Sequence, residues 1–368
     1  MSVETLGLYV HIPFCREKCA YCDFYSLRAD ERTRQAYVLA LEKDIMHRAA
    51  AAKDYTVDTV YFGGGTPTVL GADLLSHLLQ VIFGNYTVAA EAEITVEANP
   101  ESARDAAELR KLRRAGFNRV SLGVQAADDA QLKRLGRIHT RADAAAAVHA
   151  LREAGFQNLS LDLMYGLPGQ SMEAWRESLR FVIALRPQHI SCYALTLEEG
   201  TPLYRERESC RFPDDDLTAD MYLRAVETLA EEGYRQYEIS NFAQKGYPSR
   251  HNLRYWRVLP YLGFGPGAAG DFAGVRYAYA RDLHAYLAGH CPYREEIPID
   301  AAERRRERVM LSLRTADGID LSEFPALRDV FAPYLKVGLA VKEQGRLRLT
   351  PHGFLVSNAI IAEALEQL

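Results

Sequence analysis

The chain has 368 residues, of which 48% are hydrophobic and 25% are charged, which excludes a disordered, collagen-like or coiled-coil protein. Its 44 lysine and arginine residues stand against 49 aspartate and glutamate residues, so the net charge of −5 predicts no broad attraction to nucleic acid or anionic lipid. The sequence shows neither a membrane-spanning run nor a signal peptide. We therefore expect a cytoplasmic protein without a membrane span, whose six cysteines are thiols or metal ligands.

The first 240 residues alternate between short apolar segments and longer helical ones. The predicted strands cover Leu8–Ile12, Val57–Phe62, Glu93–Ala98, Arg119–Val124, Leu159–Met164 and Ile190–Ala194. The segment Leu112–Phe117 recurs as Leu151–Phe156, as expected where a glycine ends each helix before a strand. A weaker third copy precedes Tyr237–Ser240, where a further strand is expected. The alternation predicts parallel strands in a full or partial α/β barrel, with a doubly wound sheet as the alternative.

The rest of the chain divides into two segments. Residues 241–298 are expected to extend and close the barrel formed by residues 1–240. Beyond them, Ala301–Leu313 predicts an amphipathic helix, Gly345–Leu349 alternates as a strand does, and Pro351–Leu368 predicts a terminal helix. Residues 299–368 therefore predict a small winged-helix-like module. The predicted fold class is α/β: a partial (β/α)6-type barrel followed by this C-terminal module.

Cys15, Cys19 and Cys22 form a CxxxCxxC motif directly after the first predicted strand. A structural zinc site usually has four protein ligands, and no further cysteine or histidine is well placed to be the fourth. A redox-active CxxC pair would leave the third cysteine without a role. Three thiolates on one loop favour an iron–sulfur cluster with one iron open to an external ligand.

This motif resembles the signature of the radical S-adenosylmethionine (SAM) superfamily, whose members hold a 4Fe–4S cluster with three cysteines and bind SAM at the fourth iron. The segment Gly63–Gly65, which follows the second strand, is similar to a glycine segment that contacts the methionine amino group in that superfamily. Bare backbone at this position also lets a ligand approach closely. The resemblance implies a radical SAM barrel in which polar residues at successive strand ends converge on one rim.

Four segments resemble the oxygen-independent coproporphyrinogen III oxidase group: Tyr9–Cys15, Gly63–Pro67, Ser121–Gln125 and Asp162–Pro168. Carried over residue by residue, the resemblance implies that SAM is contacted by Tyr9, Tyr21, Gly64, Gly65, Thr66, Glu97, Gln125, Arg137 and Asp162. Arg137 could pair with the methionine carboxylate, while Glu97, Gln125 or Asp162 could hold ribose hydroxyls or the amine. Without the resemblance, Arg137 would equally be interpreted as a surface helix residue.

Two departures separate the chain from the oxidases of that group. Phe24 stands at the position where the oxidases continue the cluster motif with a further cysteine. The oxidases also carry a long N-terminal extension before this motif, whereas in this chain the first cysteine of the motif is already residue 15. Both departures indicate the HemW-like branch, whose members are regarded as heme chaperones that pass heme to acceptor proteins. The resemblance implies a 4Fe–4S cluster, SAM and heme as cofactors, and heme-accepting proteins as partners. Flavodoxin or ferredoxin would be the electron donor if SAM is cleaved.

The segment His251–Trp256 has the form HNxxYW and resembles a motif of that branch. His251 could ligate heme iron, because imidazole is a common axial ligand, while Tyr255 and Trp256 could flank the macrocycle. Alternatively, His251 and Asn252 satisfy backbone groups and Trp256 fills the core. Two other functions stay open: a radical SAM oxidase or methyltransferase acting on a porphyrin, and a tRNA-modifying enzyme, against which the acidic balance argues.

Overall fold

The computed structural model describes residues 4–290 and 292–368, so Cys291, expected to be an unreactive thiol, lies outside the described residues. Its centre is a set of six strands: β1 (Glu4–Ile12), β2 (Tyr55–Gly64), β3 (Val88–Ala98), β4 (Arg119–Gln125), β5 (Asn158–Tyr165) and β6 (His189–Ala194). All six predicted strands are confirmed. Each observed strand is somewhat longer than its prediction, because ladder hydrogen bonds continue past the apolar residues that mark a strand in the sequence.

The order of the six strands in the sheet is their order in the sequence, and every neighbouring pair is parallel. A doubly wound sheet reverses its strand order partway across, so this order excludes that alternative. A singly wound sheet of twisted parallel strands instead curves into a barrel wall with its helices outside. Additional strands continue the sheet beyond β1 and β6, and no closed barrel forms within the described ranges. The predicted partial barrel is confirmed.

Each central strand is followed by one or two helices: α1 (Glu31–Ala49), α2 (Ala72–Asn85), α3 (Ala106–Ala115), α4 (Asp129–Arg134), α5 (Arg141–Glu153), α6 (Met172–Ala184), α7 (Pro202–Arg205) and α8 (Asp215–Glu231). All of them except α2 start with a side-chain cap, such as Asp105 on α3 and Thr140 on α5. Gly116 and Gly155, the glycines of the repeated segment, have φ of 122° and 92°. They take the left-handed conformation that the repeat predicts. No helix in the described ranges is long and apolar enough to cross a membrane.

Residues 241–298, together with a short strand that precedes them, add strands at both edges of the sheet. The elements are β7 (Arg235–Gln236), β8 (Asn241–Ala243), α9 (Arg250–Trp256), β9 (Tyr261–Phe264), β10 (Ala269–Phe272), β11 (Val275–Tyr279), α10 (Leu283–Leu287) and β12 (Tyr293–Pro298). Strand β8 pairs antiparallel with β6, whereas β9 pairs parallel with β1. The prediction of a strand at Tyr237–Ser240 is wrong, because these residues form the turn between the antiparallel strands β7 and β8. The domain boundaries themselves stay predictions.

The C-terminal module has its own antiparallel three-stranded sheet, in the order β13-β15-β14. Its elements are α11 (Ala301–Ser312), β13 (Ile319–Asp320), α12 (Leu327–Lys336), β14 (Ala340–Glu343), β15 (Arg346–Leu349), α13 (Pro351–Leu355) and α14 (Ser357–Leu365). The predicted first helix and final strand are confirmed. The prediction of a single terminal helix is wrong in one respect. Val356, with φ −114° and ψ 18°, leaves the helical conformation, so the segment forms two helices, α13 and α14.

The two faces of the central sheet differ in chemistry. On β4, Val120, Leu122 and Val124 pack into the hydrophobic core, whereas Arg119, Ser121, Gly123 and Gln125 line an internal cavity. Strand β5 repeats the pattern, with leucine at every second position and Ser160 and Asp162 between them. Parallel strands buried on both faces are usually apolar throughout. A polar inner face therefore marks a binding cavity inside the barrel wall.

Glu307 on α11 connects the C-terminal module to the strands added beside β1. Its buried carboxylate is 4% exposed and pairs with Arg276 of β11 and with Arg304 one helical turn away. Both arginines also contact Asp271 of β10, at 2.9 Å and 2.6 Å. Two arginines and two carboxylates thus form one network between the two parts of the chain.

We expect Glu307→Ala to lower the free energy of unfolding by about 3 kcal/mol, because removing one partner of a buried ion pair leaves the other charge uncompensated. Urea unfolding measures the change. Glu303→Ala is the matched control on the same helix, where an exposed pair with Arg306 at 4.0 Å should be worth less than about 1 kcal/mol. Equal losses in the two variants would show that the network contributes nothing of its own.

Candidate functional site

A cavity of about 460 Å³ lies between the cysteine loop and the inner face of the sheet. Every predicted site residue lines it except Tyr9 and His251: Cys15, Cys19, Cys22, Tyr21, Gly64, Gly65, Thr66, Glu97, Gln125, Arg137 and Asp162. These residues come from the ends of five consecutive strands and from the loops that follow them. The structure thus brings together side chains that are far apart in the sequence.

The three cysteines lie on the loop after β1, and backbone hydrogen bonds hold that loop from several sides. Cys15 N donates to Leu27 O at 3.0 Å, and Ala20 N donates to Leu135 O at 2.9 Å. A turn bond from Cys22 N to Cys19 O, at 3.2 Å, brings the second and third cysteines together. All three are free, partly buried thiols.

The donor set fits a cluster better than a single metal ion. Among the described residues, no three His, Cys, Asp or Glu side chains are grouped closely enough to hold one ion. In a 4Fe–4S cluster each cysteine binds a different iron, so the sulfurs need only border one space. Burial raises the pKa of the Cys19 and Cys22 thiols, and the nearby Arg137 guanidinium opposes the rise at Cys19. Three soft donors beside a cavity leave room for an external ligand.

The glycine segment after β2 brings bare backbone to the edge of the cavity. Gly64 has φ of 109°, and its N–H donates to Glu97 Oε2 at 3.2 Å. A Cβ on Gly65 would lie 2.7 Å from Phe14 O and 2.9 Å from Ile12 O, so only glycine fits beside the cysteine loop. Thr66 then returns to that loop, donating from its N–H to Phe14 O at 2.7 Å. This segment and the cysteine loop form one wall.

Arg137 lies inside the cavity rather than on a helix surface. Its Nη1 donates to Asn99 Oδ1 at 2.7 Å, and its Nη2 donates to Tyr21 OH at 2.9 Å. Its buried Nε has no hydrogen-bond partner in the described part of the chain. Both groups that hold the guanidinium are uncharged, so its positive charge remains available to a ligand carboxylate.

Two carboxylates on the inner face have different environments. Asp162 accepts hydrogen bonds from Ser191 at 2.6 Å and from Ser121 and Ser160. Burial raises the pKa of Asp162, while these serine hydroxyls oppose the rise. Glu97 accepts from Tyr61 OH at 2.7 Å, and burial raises its pKa to about 7. These oxygen acceptors could hold hydroxyl or ammonium groups of a ligand.

Several cavity residues were not predicted from the sequence: Asn99, Arg119, Ser121, His189, Ser191, Tyr193 and Asn252. Four of them, Arg119, Ser121, His189 and Ser191, alternate in their strands with the apolar or weakly polar residues Val120, Leu122, Ile190 and Cys192. That period of two was the available signal, because it gives each strand one polar and one apolar face.

Tyr9 and His251 lie behind the cavity wall. Tyr9 OH is 3.0 Å from His11 Nδ1, and its ring stacks on Tyr61 and on His251. The His251 ring is 0% exposed, with Nδ1 at 2.9 Å from Thr59 Oγ1 and Nε2 at 2.7 Å from Tyr255 OH. Both ring nitrogens are engaged, so neither can ligate iron in this conformation. The ring nitrogens thus contact two side-chain hydroxyls, not the backbone groups that the alternative expectation named.

The comparisons with known proteins agree with this geometry. Residues 9–182 match the radical SAM superfamily, and residues 299–356 match the HemN C-terminal domain. The cysteine loop and the singly wound sheet therefore define a radical SAM protein, a class that implies a 4Fe–4S cluster and SAM. The chain also superposes on coproporphyrinogen III oxidase (HemN) from Escherichia coli with a TM-score of 0.85 and 24% identity. That match covers 99% of this chain and 91% of the other, and it shows the shared fold.

The curated relatives narrow the assignment. The heme chaperone HemW of Bacillus subtilis is 34% identical over 376 residues, covering 98% of this chain and 99% of that protein. HemW of Escherichia coli is 37% identical, covering 98% of each protein. The chain belongs to the HemW family. The branch predicted from the motifs is thereby confirmed.

Glu97 makes the free energy of unfolding depend on pH, and its raised pKa sets the direction of that dependence. Because its pKa is raised to about 7, the folded chain keeps a proton that the unfolded chain releases, and stability is lost as the pH rises from 4.5 to 7. Glu97→Gln lacks this loss, so its stability relative to the parent should increase over that range in urea unfolding. Glu101→Gln is the contrasting control: the pKa of Glu101 is lowered from 4.5, so its stability relative to the parent should stay level from pH 4.5 to 7 and should change only below pH 4.5. A pH-independent difference for Glu97→Gln would contradict the prediction.

His251→Ala should act on stability rather than on heme iron. Removing a buried ring with two hydrogen-bonded nitrogens should cost about 3 kcal/mol of unfolding free energy. The Soret maximum of the hemin complex should stay unchanged in an absorbance titration. Thr59→Val is the matched control, because it removes one hydrogen bond of the ring and leaves the imidazole in place. A Soret shift in His251→Ala alone would identify the histidine as an iron ligand.

Proposed function

We propose that this chain is a heme chaperone, which binds heme and transfers it to heme-accepting proteins. The observation that carries the proposal is the identity of 34–37% to HemW proteins over 98% of this chain. The cavity supports it, because the cysteine loop, the glycine segment and Arg137 border one space. Cytoplasmic location, reduction by flavodoxin or ferredoxin and the absence of a nucleic-acid partner belong to the same proposal.

In this proposal Cys15, Cys19 and Cys22 hold the 4Fe–4S cluster, which when bound supplies an electron and an iron with an open position. The buried Arg137 guanidinium offers its free donors to the methionine carboxylate of SAM. Glu97 offers an acceptor to the amino group, beside the bare backbone of Gly64. The remaining ligand hydroxyls would meet Gln125 and Asp162, while Tyr9 supports the ring of Tyr61 from behind the wall.

Phe24 favours a chaperone over an oxidase. The phenylalanine takes the position at which the oxidase group carries a further cysteine, and its side chain is 68% exposed at the cavity. A phenyl ring can neither ligate iron nor transfer an electron as a thiolate does. An exposed aromatic ring at the opening could instead contact an apolar ligand or a partner protein. The structural match to the oxidase HemN shows a shared fold and does not indicate a shared activity.

The test uses the full chain, reconstituted anaerobically with iron and sulfide. We expect it to bind hemin and to pass it to an apo-heme protein such as apomyoglobin, followed by the Soret band of the acceptor. Cys15→Ser should lose the cluster absorbance, which reports the cluster site separately from heme.

The competing functions are tested in parallel with the same preparation. Incubation with SAM, dithionite and coproporphyrinogen III should yield no protoporphyrinogen IX. Its formation at catalytic rates would replace the chaperone with a porphyrin-modifying enzyme. Binding of tRNA that weakens steeply with salt would favour the nucleic-acid alternative.

A further inference from the structure

Gln125, which belongs to the proposed SAM site, has a backbone conformation that residues other than glycine rarely adopt. Its φ is 68°, and the residue is 7% exposed and lines the cavity. The other non-glycine residues with positive φ in the described ranges lie just after helices or in hairpin turns: Arg186, Val258, Ala273 and Gln344. Gln125 instead ends a central strand beside the cavity. A strained residue at such a place points to a function.

The strain lies in a three-residue turn at the end of β4. Ala126 N donates to Val124 O at 2.9 Å, so the hydrogen bond spans two residues and Gln125 is the centre of the turn. A γ-turn with positive φ at its centre is the rare and strained form. The register of β4 on β5 shifts at the same place, between Gly123 and Gln125. The turn therefore forms a bulge, which redirects the side chains around it.

This turn brings the amide of Gln125 to the other polar groups of the rim. A Cβ on Gly123 would lie 2.9 Å from Gln125 Nε2, 2.9 Å from Asn99 Oδ1 and 3.1 Å from Arg137 Nη2. The three groups thus converge over the bare Cα of Gly123, where a side chain would displace them. Asn99 holds Arg137 there directly. The position of the Gln125 amide follows from the backbone turn that carries it.

His139 holds this turn from behind. The residue is 3% exposed, and its Nε2 lies 3.2 Å from Val124 O, the same oxygen that closes the turn. Because a carbonyl oxygen only accepts, Nε2 carries a proton and donates it. Nδ1 lies 3.6 Å from Glu101 Oε2. The carboxylate of Glu101 therefore faces the other side of the ring and orients it.

A second support acts on the residue after the turn. Ala127 N donates to Ser178 Oγ of α6 at 3.1 Å, and that hydroxyl donates to Ala174 O at 3.1 Å. Strained backbone persists only where its surroundings determine it from several sides. Helix α6 fixes the outgoing chain, whereas His139 contacts the carbonyl of the turn itself. His139 is therefore the side chain on which the conformation of Gln125 depends most directly.

We propose that His139 is a positioning residue of the SAM site, which holds the strained turn Val124–Ala126 so that the amide of Gln125 meets the ligand beside Arg137. This inference rests on the SAM site of the proposed function and adds to it a residue that acts through Gln125. Binding energy from His139 and Glu101 thus maintains a backbone conformation that the strand would not adopt alone.

The experiment titrates SAM into the full chain, reconstituted anaerobically with iron and sulfide, and follows the EPR signal of the dithionite-reduced cluster. Gln125→Ala should raise the Kd for SAM about tenfold, because it removes a hydrogen bond to the ligand. His139→Leu, which lacks the donor, should raise the Kd by a similar factor. The double variant should stay within about twofold of Gln125→Ala, because residues that act through one another are not additive.

Three further variants serve as controls for the role of His139. His139→Gln, whose amide can donate to Val124 O, should return the Kd to within about threefold of the parent value. His139→Phe keeps a ring without a donor and replaces the leucine variant if that variant does not fold. His149→Leu, on the exposed face of α5, should leave the Kd unchanged.

Gln125→Gly separates the backbone strain from the ligand contact. Glycine adopts a φ of 68° without strain, so this variant should unfold at a higher urea concentration than Gln125→Ala. Its Kd for SAM should be as weak as that of Gln125→Ala, because neither variant carries the amide. A lower urea midpoint for the glycine variant would show that the turn stores no strain, contrary to the inference.

The outcomes separate the role of His139 from the proposed function. If SAM leaves the EPR signal of the parent unchanged, the SAM site and this inference fail together. If the Kd values follow the expected pattern but the parent passes no hemin to apomyoglobin, the chaperone function fails and the role of His139 stands. A double variant about a hundredfold weaker than the parent would show independent contributions and overturn only the role of His139. An unchanged Kd in His139→Leu would overturn it as well.

Discussion

The structure depends on one constraint: polar side chains buried inside a curved parallel sheet must find partners. The outer face of the six central strands avoids this problem, because its side chains are apolar and pack against helices. The inner face carries serines, carboxylates and an arginine, which cannot be packed as a hydrocarbon core. Asp162, held by Ser121, Ser160 and Ser191, shows how adjacent strands satisfy one buried charge. The polar groups left over face a cavity, and these groups define the site.

The two ends of the inner face solve this constraint differently. At the rim, loops supply the ligand groups: thiols from the cysteine loop, bare backbone from Gly64 and Gly65, and the guanidinium of Arg137. At the deep end, α9 closes the sheet, because Glu93 accepts the first N–H groups of that helix and His251 packs against Tyr61. The HNxxYW segment thus contributes a helix start and a buried ring to the structure. Asn252 of the same segment lines the cavity of the site, whereas Tyr255 and Trp256 line a separate space beside α11.

The C-terminal module completes this arrangement from outside. Met310 and Leu311 of α11 line a cavity of about 600 Å³ between α9 and α11, and Glu307 of the same helix is fixed to β10 and β11 through Asp271, Arg276 and Arg304. A charged network therefore positions an apolar wall. Both parts of the chain therefore line this cavity.

The sequence by itself determined the central strands, the cysteine loop and most of the rim, because these depend on local spacing: CxxxCxxC, a glycine run after a strand, and apolar runs of strand length. Parallel pairing then brings strand ends to one edge. Tertiary structure alone decided three matters. The strand order excluded a doubly wound sheet, the packing of α9 buried His251 between Thr59 and Tyr255, and the curvature of the sheet placed Arg119 in the wall of the cavity. Each depends on contacts between residues distant in the chain, which no local pattern records.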